Sequence, residues 1–206
     1  MTTYVALLRA VNVGGTGVLP MADLRALAER LGFAEVRTYI QSGNLVLRSA
    51  LPADVVKATL ERALAARLGK PVAVMVRHAE ELAAIVAGNP YPEAAPARVL
   101  VLFVDAPPPA PTAAKLAALV PPGREQLTLR GRELFIFFPD GMGASKLKVP
   151  LVDVGTGRNL NTVRALLALA TAPAIAPATA EAKTKTPPKA EAKTKARPKA
   201  KARPTA

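Results

Sequence analysis

The chain has 206 residues, half of them hydrophobic, and a formal net charge of +13. This length suits one domain of two lobes or two small domains, and the apolar content is sufficient for a packed core. The sequence contains no cysteine and a single histidine, His78, which excludes disulfides, thiolate metal sites and histidine clusters. The N-terminus has no secretory signal pattern, and the longest uncharged run, 165–180, is interrupted by two prolines. We therefore expect a cytoplasmic protein without a membrane segment.

The positive charge is concentrated at the C-terminal end. Residues 171–206 carry nine basic residues and two glutamates, and EAKTKTPPKA at 181–190 returns as EAKTKARPKA at 191–200. Ile175 is the only large apolar residue there, so the segment cannot bury enough surface to offset its ordering entropy. We predict a disordered tail that binds DNA or RNA without sequence preference; the alternative is a tail that only promotes solubility. The expected contacts are Lys183, Lys185, Lys189, Lys193, Lys195, Arg197, Lys199, Lys201 and Arg203.

The N-terminal segment predicts a strand, a glycine-rich loop and a helix. Tyr4–Ala10 is apolar on both faces except for Arg9, which is typical of a central strand covered on both sides. The loop 12–19 contains three glycines, and the helix that follows begins at Pro20. Glycine amides at a helix N-terminus can hold a phosphate, but the spacing matches neither established phosphate-binding pattern. A plain turn and a ligand loop both remain open.

The elements that follow predict two similar lobes. Strands at 36–40 and 45–47 flank the turn QSGN, a helix follows Pro52, and a strand covers 71–77, which completes a β-α-β-β-α-β order. The second half repeats this order less clearly. Its predicted elements are a helix at 78–87, a strand at 98–104, a helix at 113–119, a hairpin at 126–130 and 133–138, a helical or extended piece at 148–154, and a last helix at 162–170.

The predicted fold is α+β. It consists of two ferredoxin-like (split βαβ) lobes packed together, at 1–77 and 78–170, and the disordered tail at 171–206. Packing of the two lobes would explain why the first strand is apolar on both faces.

Several polar residues occupy constrained positions. Arg9 interrupts a predicted central strand, Ser42 and Asn44 share one turn, and Arg158 precedes the last helix. If these groups converge, they form a cationic, amide-rich pocket for an anion; otherwise the amides cap helices and satisfy turns. The predicted ligand-binding set is Arg9, Asn12, Gly14, Gly15, Ser42, Gly43, Asn44, Lys146, Arg158 and Asn159.

Four separated motifs resemble a bacterial family of unknown function, DUF1697. They are LLRAVNVGG, TYIQSGNLV, FPDGMGASKL and GTGRNLNTV, and the resemblance runs from about residue 4 to residue 170. It implies an α+β protein with ferredoxin-like topology and no settled activity. This chain has Ala10 where the family usually has glycine, and Leu160 where an aromatic residue is usual.

Three classes of function are compatible with the sequence. The first is a binding module for a small anionic ligand or nucleic-acid phosphate, which the lack of a recognisable acid/base pair or triad favours. The second is an enzyme of unknown class that acts on a phosphorylated or carboxylated metabolite, with Tyr39, Ser42 and Lys146 as candidate nucleophiles or proton-transfer groups. The third is a structural protein that self-associates through exposed strands. The sequence identifies no cofactor and no metal-ligand set.

Overall fold

The first half of the chain builds a four-stranded antiparallel sheet. The computed structural model describes residues 1–12 and 19–173. Helices α1 (Met21–Arg30) and α2 (Ala53–Leu68) begin directly after Pro20 and Pro52. The strands are β1 (Thr2–Leu8), β2 (Ala34–Thr38), β3 (Asn44–Ser49) and β4 (Val74–His78), in the sheet order β2-β3-β1-β4.

The second half builds a second antiparallel sheet with the same connectivity. Its strands are β5 (Val99–Phe103), β6 (Gln126–Arg130), β7 (Glu133–Phe137) and β8 (Thr156–Asn159), in the order β6-β7-β5-β8. Its helix α4 (Ala110–Ala117) corresponds to α1. Helix α3 (Ala79–Ala87) follows β4 directly, as α5 (Leu160–Thr171) follows β8. The expected α+β class is therefore confirmed, with β5, β6, β7 and β8 in the places of β1, β2, β3 and β4.

The strand registers make this equivalence specific at the residue level. Arg77 of β4 lies opposite Val5 of β1, and Arg158 of β8 lies opposite Val101 of β5. Each arginine is the last residue but one of its strand. Arg77 and Arg158 are thus equivalent residues of the two halves.

The strand β1 contributes to two hydrophobic cores, which explains its apolar sequence. Tyr4, Ala6 and Leu8 pack with α1 and α2 on the outer face of the first sheet. Val5 and Leu7 pack on the opposite face, in a cluster that we call the inner core. The inner core contains residues of both sheets and of α3 and α5, including Met75, Leu82, Val101, Phe103, Phe135, Leu160 and Leu166. The two halves are therefore joined by a shared apolar layer.

The structure corrects three expectations at element ends. The strand β1 ends at Leu8, so Arg9 lies after the strand, partly exposed, and does not interrupt it. The backbone of Ala10 is left-handed, with φ of 52°, which an extended strand cannot accommodate. No regular element covers 148–154; strand β8 instead occupies Thr156–Asn159, and α5 begins at Leu160.

Two groups of predicted residues lie outside the described part of the chain. They are Gly14 and Gly15 in the segment 13–18, and the basic residues of the tail beyond residue 173. In the described ranges, none of the helices has the length and apolarity that a bilayer span requires.

Candidate anion site at the Arg158 turn

The turn between β2 and β3 lies against the end of β1. Its Gly43 is left-handed, with φ of 73°, and its carbonyl accepts a hydrogen bond of 2.8 Å from the N–H of Leu8. A Cβ atom at this glycine would lie 2.9 Å from Cβ of Leu8. Both the backbone conformation and the close approach therefore require glycine at this position.

Arg158 reaches from β8 of the second sheet into this turn. Its Nε donates to Oδ1 of Asn44 at 2.5 Å, and Nη2 donates to the carbonyls of Leu8 at 2.9 Å and Ser42 at 2.7 Å. Its Nη1 donates to Oγ1 of Thr156 and to the carbonyl of Gly157, both at 2.8 Å. These bonds use all five N–H groups of the guanidinium, and every acceptor is neutral.

Asn44 connects the arginine to the rest of the turn. Its side chain is fully buried, and Nδ2 donates to the carbonyl of Tyr39 and to Oγ of Ser42, both at 2.9 Å. The structure thus brings together Ser42, Gly43, Asn44 and Arg158. We call this group the Arg158 turn.

The charge of Arg158 has no acidic partner in the described residues. Burial lowers the pKa of Arg158 to about 10, which still leaves the group charged at neutral pH. No carboxylate forms an ion pair with it among residues 1–12 and 19–173. The adjoining segment 13–18, VGGTGV, contains no acidic residue. A fixed positive charge therefore lies at the end of β1.

The equivalent arginine of the first half has a carboxylate partner. Arg77 is almost fully buried, and its Nε donates to Oε1 of Glu133 at 2.7 Å, while Nη2 donates to the carbonyl of Val104 at 2.7 Å. Burial lowers the pKa of Arg77, and Glu133 opposes this shift. Glu133 begins β7 as Asn44 begins β3. Each half therefore extends its arginine into the other half, but only Arg77 forms an ion pair with a carboxylate.

Three further predicted residues, Arg9, Asn12 and Asn159, lie near the Arg158 turn. The N–H of Arg9 donates to the carbonyl of Ala73 at 2.9 Å. Asn12 accepts from the N–H of Leu19 at 2.7 Å and donates to the carbonyl of Gln41 at 2.8 Å, so it ties both ends of 13–18 to the turn. Asn159 is exposed, and its Oδ1 caps α5 by accepting from the N–H of Thr162 at 2.9 Å.

Lys146 lies in a different place. It lines a cavity of about 300 Å³ together with Phe138, Asp140 and Ser145, and no residue of the Arg158 turn lines that cavity. Of the three candidate proton-transfer groups, only Ser42 is a member of the Arg158 turn. The carbonyl of Tyr39 contacts that turn by accepting a hydrogen bond from Asn44, and Lys146 lies elsewhere. In the described part of the chain, no three acidic or histidine side chains are grouped closely enough to hold a metal ion.

Sequence reasoning did not find the pair of Arg77 and Glu133. The available signal was a single basic residue at the end of the apolar run 71–77, followed directly by a helix start. Arg158 is likewise followed by a helix cap residue, Asn159, but no apolar run leads up to it.

Comparison with known proteins places the fold in a family. The family model described as "Protein of unknown function (DUF1697)" matches residues 1–135. The chain belongs to this family. The matched region ends within β7, so Lys146 and Arg158 lie beyond it. A solved structure, that of the conserved bacterial protein SP0830 from Streptococcus pneumoniae, is similar, with a TM-score of 0.69 and 25% identity. The similarity covers 82% of this chain and 98% of that chain. The search of curated proteins found no match.

Proposed function

We propose that this DUF1697 protein binds a small anionic ligand, or the phosphate of a nucleic acid, beside the Arg158 turn. The observation that carries this proposal is the buried charge of Arg158, which meets only neutral acceptors where the equivalent Arg77 meets Glu133. A buried charge without an opposite charge is unfavourable, and a nearby anion would relieve it.

The anion would bind at the rim of the turn, because the five N–H groups of the guanidinium already have acceptors. The charge would act through space, which is effective where water is partly excluded. The proposed direct donors are the guanidinium of Arg9, which follows the end of β1, and the backbone N–H groups of 41–43, which donate to no described backbone carbonyl. Successive N–H groups in a turn are a common anion-binding arrangement.

The basic tail would add affinity for polyanions that does not depend on their sequence. Its nine basic residues can each neutralise a phosphate and release a counterion. A cytoplasmic location is part of this proposal.

The test uses Asn44→Asp, which places a carboxylate against Arg158. The control is Gln126→Glu, the same change from amide to carboxylate on β6, about three strand spacings or ~14 Å from β8. Inorganic phosphate and pyrophosphate are titrated into each full-length protein while the melting temperature is recorded. We expect stabilisation of the native chain and of Gln126→Glu, and none of Asn44→Asp. Equal stabilisation of all three proteins would contradict the proposal.

A second variant is needed because Asn44→Asp also removes the two bonds that Nδ2 donates. The second variant is Arg9→Gln, which leaves the hydrogen bonds of the Arg158 turn intact. Its control is Arg30→Gln, which removes one positive charge at the exposed end of α1. Only Arg9→Gln should weaken binding of the anion. Conversion of a bound compound by the native protein would favour the alternative, an enzyme acting on a phosphorylated or carboxylated metabolite.

A further inference from the structure

Helix α3 and the hairpin of β6 and β7 line a cavity that is separate from the proposed anion site. Its volume is about 280 Å³. The lining side chains include polar Glu81, Arg130 and Glu133 and apolar Ala84, Ile85 and Phe135. No residue of the Arg158 turn lines this cavity, so a ligand here would not compete with the anion.

The internal symmetry of the fold identifies the equivalent place in the first half. Arg130 lies directly opposite Glu133 in the pairing of β6 with β7. Tyr39 has the same position relative to Asn44, to whose carbonyl its N–H donates at 3.2 Å. Because Glu133 and Asn44 are equivalent, Arg130 and Tyr39 are equivalent as well.

The end of helix α3 corresponds in the same way to the end of α5. Gly88 and Leu169 lie the same number of residues after the equivalent arginines of β4 and β8. Both of their carbonyls accept from an arginine of an edge strand. The carbonyl of Gly88 accepts from Nη1 of Arg130 at 2.6 Å, and that of Leu169 accepts from Nη1 of Arg37 at 3.1 Å.

Side chains occupy the equivalent place in the first half. Tyr39 and Leu169 are half-buried and pack against the inner core. In the second half Gly88 has no side chain, and Arg130 is exposed and donates to the end of α3. The cavity therefore lies where the other half has a tyrosine and a leucine side chain.

Two opposite charges with unused hydrogen-bonding capacity line this cavity. Glu133 is 9% exposed, and its Oε1 accepts from Arg77. Its Oε2 retains contact with solvent and accepts from no donor in 1–12 and 19–173. Arg130 lies directly opposite, yet it forms no ion pair with Glu133 and donates through Nη1 alone to the described residues.

The charges around the cavity select against a simple cation and against a simple anion. The carboxylates of Glu133 and Glu81 are balanced by Arg77 and Arg132, whereas Arg130 forms no ion pair within the described ranges. A lone cation would be repelled by these arginines, and a lone anion would leave Oε2 of Glu133 without a donor. A ligand that carries both charges satisfies both groups.

We propose that this cavity binds a free α-amino acid with an aliphatic side chain about the size of leucine. Its carboxylate pairs with the guanidinium of Arg130, and its ammonium donates to Oε2 of Glu133. The two charged groups of an α-amino acid are attached to one carbon atom, and directly opposite residues of a sheet have Cβ atoms about 4.5–5.5 Å apart. The side chain lies against Ile85 and Phe135, in the space that Gly88 leaves open. Apolar walls with a few orienting polar groups are typical of small-molecule sites.

Isothermal titration calorimetry with the full-length native protein compares L-leucine with two analogues that each lack one charged group. Isocaproate lacks the ammonium, and isoamylamine lacks the carboxylate. We expect leucine to bind at least about tenfold more tightly than either analogue, because each analogue loses a hydrogen bond between charged groups. Equal binding of leucine and either analogue, or no binding of leucine, would overturn the proposal.

The variants Ala84→Leu and Ala83→Leu test whether leucine occupies this cavity. Both alanines are exposed on α3, but only Ala84 lines the cavity, so a larger side chain there fills it without disturbing the core. We expect Ala84→Leu to weaken leucine binding about tenfold or more through overpacking, and Ala83→Leu to leave it unchanged. Binding that Ala84→Leu does not weaken would place the amino acid elsewhere, for example at the Arg158 turn, and would overturn this site.

Arg130→Gln tests the contact with the carboxylate. It should remove the advantage of leucine over isoamylamine, because both ligands then lack a cationic partner for the carboxylate position. The control is Arg62→Gln, at an exposed arginine of α2, which should keep that advantage. If Arg130→Gln also keeps it, Arg130 does not hold the carboxylate and the proposed orientation is wrong.

Discussion

Replacement of Arg77 by methionine should destabilise the protein more than the same replacement of Arg158. Methionine keeps the length and apolar stem of the side chain and removes the guanidinium. In Arg77→Met the carboxylate of Glu133, a residue that is only 9% exposed, loses its partner. Removing one member of a buried ion pair typically costs about 3–5 kcal/mol.

Two opposing terms determine the cost of Arg158→Met. The carbonyl of Ser42 and Oδ1 of Asn44 lose their donor, whereas the carbonyl of Leu8 keeps Oγ1 of Thr156 at 3.2 Å. At about 1–3 kcal/mol for each orphaned group, the loss is roughly 2–6 kcal/mol. The burial that lowers the pKa of Arg158 to about 10 corresponds to a cost of about 3 kcal/mol, which the variant no longer bears. The net cost is about −1 to 3 kcal/mol.

Urea unfolding at 25 °C compares the free energies of unfolding of the native chain and both variants. We expect Arg158→Met to be the milder change by about 3 kcal/mol, the difference between the middles of the two ranges. Arg77→Met combined with Glu133→Gln should recover part of the stability lost in Arg77→Met, because the buried carboxylate is then replaced by a neutral amide. If Arg158→Met is as unstable as Arg77→Met, the argument is refuted that Arg77→Met is the more damaging change because it leaves a buried carboxylate without its partner.

Four further predictions concern the fold and the tail. Ala10→Gly should raise the free energy of unfolding by up to about 1 kcal/mol in urea unfolding, because glycine tolerates the left-handed backbone at φ of 52°. Phe103→Ala should cost about 3–5 kcal/mol and weaken amide protection in both sheets in hydrogen exchange, because Phe103 lies in the inner core. Burial raises the pKa of Glu81, but hydrogen bonds from the His78 N–H and from Arg132 outweigh this and hold that pKa below 4.5. Stability lost in Glu81→Gln should thus be measurable at neutral pH and disappear as the pH falls below 4.5. Truncation after Pro173 should change the melting temperature by no more than about 2 °C and should weaken DNA binding. For the full chain, a plot of the logarithm of the DNA-binding constant against the logarithm of the salt concentration should have a slope no steeper than about −8, the value for nine phosphate contacts.

The order of elements could be predicted because it depends on local patterns. Strand Tyr4–Ala10 and the first two helices were recognised from apolar periodicity and from the prolines and glycines at their ends. The end of β1 was placed too late, since the left-handed backbone at Ala10 breaks the strand. The glycine usual at that position in the family was the available signal. Strand β8 was missed because Thr156–Asn159 has no strand pattern and is extended through its pairing with β5.

The contacts of the candidate site depend on topology, which the sequence specifies only weakly. Arg158 and Asn44 are 114 residues apart, and Arg77 and Glu133 are 56 residues apart. The turn at Ser42–Asn44 was recognisable from its residue types, but its contact with β8 required the packing of both sheets. The glycine-rich turn before Lys146 predicts that it joins these residues, but the structure places it in a separate cavity that Phe138 and Asp140 also line.

The inner core has a consequence for the synthesis of the chain. After His78 has been added, the first sheet has all four strands, but Val5, Leu7 and Met75 still lack the second sheet that covers them. Arg77 also lacks Glu133 at that stage. Translation at about 5–20 residues per second adds residues 79–171, to the end of α5, in roughly 5–19 s. During this interval the nascent first half exposes an apolar sheet face, which is where a chaperone that recognises unfinished proteins would bind. Completion of that face has to wait for α5, the last helix of the described chain.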